Sequence, residues 1–386
     1  VRILEVCPYD IRRPGGVQRH ILDLSKALAG AGHEVVLLAP GREDQPAWQE
    51  TDGYRILSAG CFNIWRLHGT AFEVTWANGG DLDALLGLHE ARPFDVVHFH
   101  TLWTPFLPWQ VFRRLAPRVP RRIATFHDTP PPTLSGRLTR TVFRVLSRLL
   151  SRKLDAAIAV SDSPAGHLRL APACQFHRLP PCIDLAPLLA MPRPNRRGQP
   201  PTVLFIGRLE PRKGVLLLIK AFAQVRKNHS AARLLVCGNG EQAEAARALA
   251  TRLGVAEAVT FTGALDEAGK NRLYAEADVF CAPSPYGESY GLVLAEAMAA
   301  GLPVVAAANS GYRTVLTGPG EAGLVEPGSA TALAAGLDAL LRSPDRRDAL
   351  SRWGREEARR SDVTARLEDF LAVLRGDHRA QTENRP

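Results

Sequence analysis

Two glutamates, Glu288 and Glu296, are separated by seven residues in the stretch 283–301, PSPYGESYGLVLAEAMAAG. Between them, Ser289, Tyr290 and Gly291 precede a run of good helix formers from Leu292 to Ala300, which Gly301 and Pro303 bring to a stop. A helix that starts near Gly291 presents its first unpaired N–H groups, and the positive end of its dipole, beside Glu288. That is a place for a phosphate. Glu296 then lies about 7–8 Å further along the axis, at 1.5 Å per residue. A carboxylate at each end of an anion site suits a nucleotide sugar. The diphosphate would lie at the helix start, the sugar hydroxyls on Glu288 and the ribose hydroxyls on Glu296.

Two other clusters point to the same chemistry. The apolar run 202–206 leads into GRLEPRKG, where Arg208 and Lys213 bracket a Glu-Pro turn. Two cations at the carboxyl end of a strand match the two negative charges of a diphosphate. Near the start of the chain, Pro14, Gly15 and Gly16 precede a helix. Paired glycines there let the backbone approach a phosphate, although the same residues read equally as a plain turn. The spacing is not G-x-G-x-x-G, so a dinucleotide fingerprint is absent.

These clusters need a frame, and 386 residues are too many for one ordinary core. Strand, loop, helix and strand follow one another at 2–39 and again from 202, the opening unit of a doubly wound α/β domain. We expect a first domain over 1–186 and a linker over 187–201, where Pro192, Pro194, Gly198, Pro200 and Pro201 gather. A second domain follows over 202–362, and a last helix, 363–375, packs back on the first. Residues 42–94 show little periodicity and hold an acceptor loop at 61–69, where Asn63, Arg66 and His68 meet a polar acceptor or only solvent.

The motifs, in this order, resemble those of the retaining glycosyltransferases of family 4. Residues 288–296 match that family's E-x7-E signature, and GRLEPRKG matches its Gly-Arg…Lys-Gly loop. TFH at 125–127 matches its histidine motif, and CPYDIRRPGGVQRH at 7–20 its first loop. The likeness covers nearly the whole chain. It implies the GT-B architecture: two doubly wound, parallel-sheet, Rossmann-like α/β domains facing across a cleft. It also implies transfer of a hexosyl group, mannosyl or glucosyl in type, from a nucleotide diphosphate sugar to an acceptor hydroxyl with retention of configuration, in glycolipid or polysaccharide synthesis.

On this likeness His127 contacts the hydroxymethyl side of the donor sugar and Glu288 orients its ring. Arg208 and Lys213 stabilise the leaving phosphate, together with the helix start at Ser289, Tyr290 and Gly291 and the backbone of Gly15 and Gly16. Gly238 passes beneath the nucleotide and Glu296 takes the ribose. Leu265 and Glu267 stand in the turn that holds the base. An acid at 267 suits guanine, yet relatives that use uridine donors also carry acids there, so the donor is a GDP- or UDP-sugar. Tyr9 and Gln18, with Asn63 and Arg66, fall on the acceptor side, for a lipid-linked or saccharide acceptor.

No metal or other cofactor is expected. His98 and His100 alternate along one strand, but the sequence offers no third ligand at suitable spacing. Asp81 and Asp83, the sole D-x-D, open a surface helix. The six cysteines form no C-x-x-C and several lie in apolar runs, which reads as buried, reduced thiols in a cytoplasmic protein without a signal peptide.

A helix from about 134 to 154 carries arginines at 137, 140, 144, 148 and 152 on one face. Leu138, Val142, Val145, Leu146, Leu149 and Leu150 take the other. Asp128 is the sole acid of the segment 112–153, and the net charge of the chain is +9. The stretch 137–153 is therefore either a solvated basic face or a peripheral contact with an anionic membrane, at its cytoplasmic face. Base-stacking aromatics are not interleaved with these arginines, which argues against nucleic acid. A nucleotide-sugar epimerase and a non-catalytic nucleotide-sugar binder are the rival functions.

Overall fold

The computed structural model describes residues 1–41, 48–67, 70–194, 196 and 198–377; of residues 62, 64–67 and 70–72 the backbone alone is described. The chain divides into two compact units, Val1–Asp184 with Val363–Pro386, and Leu185–Asp362. The division falls between Asp184 and Leu185, and the stretch expected as a linker opens in a short helix, Ala186–Ala190.

Alternating apolar runs and amphipathic helices build the first unit. Its strands are β1 (Arg2–Val6), β2 (Glu34–Ala39), β3 (Trp48–Thr51), β4 (Tyr54–Ser58), β5 (Cys61–Leu67), β6 (Thr70–Trp76), β7 (Val96–His100), β8 (Arg121–Phe126), β9 (Ala156–Ala159) and β10 (Gln175–Arg178). Eight of them form one sheet in the order β10-β9-β8-β7-β1-β2-β4-β3, parallel except for the edge pair β3–β4. Strands such as VVLLA are apolar on both sides because the sheet is covered on both faces. One face packs a core around Leu4, Val97, Phe99 and Phe126, the other a core around Ile3, Ile123 and Ile158. Onto the second face fold the helices Gly16–Gly30 and Val363–Arg375, whose Phe370 and Leu374 are buried there. The last helix is pinned by Val363 N–H to the carbonyl of Ile183 (2.8 Å) and by the Arg121 guanidinium to that of Val373 (2.9 Å).

The expected acceptor loop is a correction. Residues 61–67 and 70–76 form an antiparallel hairpin, β5–β6, in register from Cys61 with Trp76 to Leu67 with Thr70. Neither CFNIWRL nor TAFEVTW alternates apolar and polar residue types cleanly, so no period of two marks the hairpin in the sequence.

The helix Leu134–Leu150 also differs from its expected two-faced form. Phe143, Leu146 and Leu150 pack against the core, whereas Leu134 (81% exposed), Leu138 (68%), Val142, Val145 and Leu149 face solvent. At 100° per residue the exposed apolar residues occupy a stripe of their own, beside the arc of Arg137, Arg140, Arg144 and Arg148. The helix therefore has two apolar faces and one basic face. Among the described residues, no helix is long and apolar enough to cross a membrane.

In the second unit β11 (Thr202–Ile206), β12 (Arg233–Cys237), β13 (Val259–Gly263), β14 (Val279–Ala282), β15 (Val304–Ala307) and β16 (Leu324–Val325) form a parallel sheet in the order β13-β12-β11-β14-β15-β16. The order reverses between β11 and β14, as it does between β1 and β7 in the first unit. In an open α/β sheet, the crevice outside the carboxyl ends of such a strand pair is where ligands bind.

Candidate active site

In the second unit the loops that follow β11 and β14 meet at the reversal point. Gly214 has φ +74°, and a Cβ there would lie 2.6 Å from the carbonyl of Pro283, so a side chain at 214 would separate the two loops. Lys213 Nζ lies 2.7 Å from Glu288 Oε1, and Arg212 Nη1 lies 3.3 Å from the same oxygen. Arg208 and Arg212 both contact Glu210, at 2.9 and 3.3 Å. Three cations and two carboxylates thus converge. The sequence reading named Arg208, Lys213 and Glu288, but it passed over Arg212 and Glu210, which looked like ordinary charges of a solvated turn.

Burial opposes the charge on Glu288, but Lys213 and Arg212, with a hydrogen bond from Ser284, outweigh it and hold the carboxyl below its ordinary range. Burial draws the Lys213 ammonium down, and Glu288 pulls it back. The loop is locked from behind by the Asn309 side-chain N–H to the carbonyl of Ser284 (2.8 Å) and by Tyr312 O–H to Ser284 Oγ (3.1 Å).

The helix expected after Ser289 and Tyr290 spans Leu292–Ala299. Its N-cap, Gly291, has φ +110°, and a Cβ there would strike the ring of Tyr312 at 2.7 Å. No side chain caps this helix, so its first N–H groups are not taken by an N-cap side chain. In its second turn Glu296 accepts from Tyr274 O–H (3.2 Å), a partner from the helix Glu267–Glu276 that the sequence did not suggest. Gly238 follows β12, where a Cβ would overlap the carbonyl of Gly207. Leu265 is half-buried just before the cap Asp266, while Glu267 is exposed and paired with Lys270.

In the first unit the loop after β1 carries Tyr9, half-buried with its phenol held neutral by burial, and ends at Gly15, the N-cap of Gly16–Gly30. The Gln18 side chain folds over Gly15 so closely that a Cβ there would meet its amide. Glu73 of β6, buried and unforeseen, accepts from Asp10 N–H and from Arg13 (2.6 Å), tying the hairpin to this loop. Asn63 is exposed on β5; the Arg66 side chain and His68 lie outside the described residues.

At the reversal point of this sheet a histidine cluster gathers. His127 follows β8, and its Nε2 is 3.3 Å from His100 Nδ1. His100 Nε2 is 2.8 Å from Glu5 Oε2, and His98 Nδ1 is 2.9 Å from that oxygen. His98 Nε2 meets Thr125 Oγ1 at 2.7 Å. His20, from the helix Gly16–Gly30, lies near His127 with ring centroids 5.3 Å apart and planes tilted by 57°. Glu5, His20, His98 and His100 are fully buried.

The sequence offered no third ligand for His98 and His100; the fold supplies Glu5 for one triplet, and His20 with His127 for another. The ground on which a metal was discounted therefore does not hold. Glu5 and His98 are paired in register on adjacent strands, which no local spacing reveals. Asp128, which follows His127 in the chain, is raised to about 6 by burial, although Trp103 N–H donates to it. The expectation of buried thiols fits all cysteines except Cys61, which is exposed.

Two parallel sheets whose reversal points carry a cation cluster in one unit and a histidine cluster in the other define a two-domain enzyme of the sugar-transferring class. The family model described as Glycosyltransferase Family 4 matches residues 14–187, and that described as Glycosyl transferases group 1 matches residues 190–357. The phosphatidyl-myo-inositol mannosyltransferase of Mycobacterium leprae is 35% identical over 384 residues, spanning 97% of this chain and 96% of that one. Among solved structures, sucrose-phosphate synthase from Thermosynechococcus elongatus superposes with a TM-score of 0.77 at 23% identity, covering 98% of this chain and 100% of that one. Anabaena HepE in complex with UDP does so with 0.72 at 19% identity, covering 97% and 100%. The chain belongs to the family-4 glycosyltransferases, and its two parallel-sheet α/β domains are those of the GT-B class.

Proposed function

We propose that the protein transfers a hexosyl group, mannosyl or glucosyl, from a nucleoside diphosphate sugar to an acceptor hydroxyl with retention of configuration. The observation that carries this reading is the convergence of Arg208, Arg212 and Lys213 beside Glu288 and the uncapped helix start at Gly291. A departing diphosphate needs charge stabilisation that grows as the glycosidic bond breaks, and fixed cations with aligned N–H groups supply it. Glu288, kept ionised by its neighbours, accepts from sugar hydroxyls, and Glu296 accepts from the ribose. The bond from the anomeric carbon to phosphate breaks as the bond to the acceptor oxygen forms on the same face. The acceptor's proton passes to the released diphosphate, so no carboxylate nucleophile is needed. No metal takes part, since the cations carry the charge.

The donor is a GDP- or UDP-sugar. The bacterial relative named for phosphatidyl-myo-inositol and the UDP complex of HepE favour, respectively, a mannosyl and a uridine reading. The acceptor is lipid-linked or a saccharide, and the protein works at the cytoplasmic face of a membrane. The exposed apolar stripe and flanking arginines of Leu134–Leu150 support that surface.

The experiment is incubation with GDP- and UDP-hexoses, with and without crude lipid acceptor, and NMR of the products. A glycoside of unchanged anomeric configuration is expected. An inverted glycoside, an epimerised sugar formed without acceptor, or tight donor binding with no turnover would each overturn the proposal.

A further inference from the structure

The cation cluster of the second unit contains a carboxylate that the reaction above does not use. Glu210 stands at the start of the short turn Pro211–Lys213 and is 9% exposed. Its Oε1 lies 2.9 Å from Arg208 Nη1 and its Oε2 3.3 Å from Arg212 Nε. Arg212 reaches on to Glu288, and Glu288 to Lys213, so that five charged groups alternate in sign. We infer that Glu210 is a positioning residue acting through Arg208 and Arg212, a role that rests on the donor site proposed above. It aims the two guanidinium groups and offsets part of their charge, so that the cluster stabilises a departing diphosphate without retaining the free nucleoside diphosphate as product.

The backbone holds this loop without help from the carboxylate. Leu209 N–H donates to the carbonyl of Asn239, and the carbonyl of Leu209 accepts from Gln242 N–H, both at 2.9 Å. Lys213 N–H donates to the main-chain carbonyl of Glu210 at the same distance. The side-chain contact with Arg212 is an ion pair and not a directed bond. Among the described residues, neither Glu210 Oε2 nor Arg212 Nε, both buried, has a hydrogen-bond partner. A buried carboxylate oxygen without a hydrogen bond lowers stability, so folding alone does not account for Glu210. Arg208, by contrast, has a side chain 41% exposed, and Glu210 ties its guanidinium back to the cluster.

Charge gives the direction of the effect. Without Glu210, three cations would face the single carboxylate of Glu288; with it, the excess is one positive charge. A sugar-linked diphosphate carries about two negative charges and the freed one about three, because the new terminal phosphate loses its second proton near pH 6. A strongly cationic site therefore holds the product more tightly than the donor. Attraction that the ground state and the product share equally with the transition state does not speed turnover. Glu210 repels both diphosphates, and the product more.

Calorimetric titration of the full chain with UDP and uridine, and with GDP and guanosine, tests this alongside kcat for hexosyl transfer. Glu210→Gln keeps the shape and removes the charge. It should bind the nucleoside diphosphate roughly tenfold more tightly and the nucleoside unchanged, with a gain that shrinks as salt is added. Its kcat should nevertheless fall roughly tenfold, because Arg208 is no longer held. Glu210→Asp, which keeps the charge, should return the diphosphate affinity to that of the wild type and restore part of kcat. Diphosphate binding by Glu210→Gln that is weaker or unchanged, an equal change for the nucleoside, a Glu210→Asp that behaves as Glu210→Gln does, or a Glu210→Gln that fails to fold would each overturn the inference. If the affinities shift as stated but the wild type transfers no hexosyl group, the role of Glu210 at a diphosphate site stands and the proposed function falls. A wild type that binds no nucleoside diphosphate would overturn both.

Discussion

Lys213 and Glu288 are 75 residues apart in sequence, yet the ammonium lies 2.7 Å from Oε1 of the carboxylate. The pair joins the two loops at the reversal point of the second sheet, and it has two consequences, one for stability and one for chemistry. Lys213→Ala leaves a buried carboxylate with the longer contact to Arg212 and the hydrogen bond from Ser284, and it should destabilise the protein by about 3 kcal/mol. Arg208 is far more exposed, so Arg208→Ala should leave the unfolding temperature nearly unchanged. Both variants should lose roughly 10²-fold or more in kcat, because each removes a cation from the leaving diphosphate. Thermal unfolding alongside kcat for the two variants checks this, and a loss confined to the acceptor KM would refute it.

Chelation should not abolish turnover. With Arg208, Arg212 and Lys213 carrying the charge of the diphosphate, activity after EDTA treatment should stay within about twofold of the untreated protein. Complete loss restored by a divalent cation would show that a metal shares the task.

Stability should fall as the solution is acidified from about pH 6.5 to pH 4. Burial lowers the pKa of His20 to about 3 and that of His100 to about 4, and draws His127 down as well. In that window the unfolded chain binds protons that the folded chain refuses, so the unfolded state gains with each drop in pH. The slope reaches about 1.4 kcal/mol per unit for each such group. Glu5 works in a lower range: its folded pKa is depressed because His98 and His100 outweigh the burial that opposes its charge, so its stabilisation is lost only below the ordinary carboxylate range. Melting temperature against pH should show the decline, and His100→Gln should make it shallower.

The exposed stripe of Leu134–Leu150 should act in membrane binding and not in folding. Replacing Leu138, Val145 and Leu149 together by Glu should leave the unfolding temperature within a degree or two, since none is buried. Co-sedimentation with phosphatidylglycerol vesicles should be lost. Arg144→Gln with Arg148→Gln should weaken binding in a salt-dependent way, each charge contributing about 1 kcal/mol near an anionic surface. Wild-type protein that fails to sediment at low salt would end the membrane reading.

Glu296→Gln should raise the donor KM about tenfold and leave kcat nearly unchanged, the signature of a contact made equally in the ground and transition states. Tyr274→Phe, which removes the hydroxyl that donates to Glu296, should do the same a few-fold. An effect on kcat alone would move Glu296 into the chemistry.

Much of the second unit's site was legible because its parts are local. The helix after Gly291, its stop at Gly301, and the cations of 208–213 are each specified within about ten residues, where propensity, capping and turn chemistry act. The strand runs and the proline-rich stretch after residue 190 likewise announced two parallel-sheet domains. What local chemistry cannot carry is which strand lies beside which. Glu5 meets His98 because β1 and β7 are neighbours across the reversal of strand order, and His20 joins them because a helix folds over that face.

The same limit hid Glu73, Tyr274 and the two apolar faces of Leu134–Leu150. A leucine stripe looks alike in sequence whether core or solvent covers it. The sequence by itself determined the spacing of Glu288 and Glu296 and the helix start between them. The tertiary structure alone decided what partners them, Lys213 and Arg212 on one and Tyr274 on the other. Partnership depends on burial and strand order, and both are properties of the packed chain.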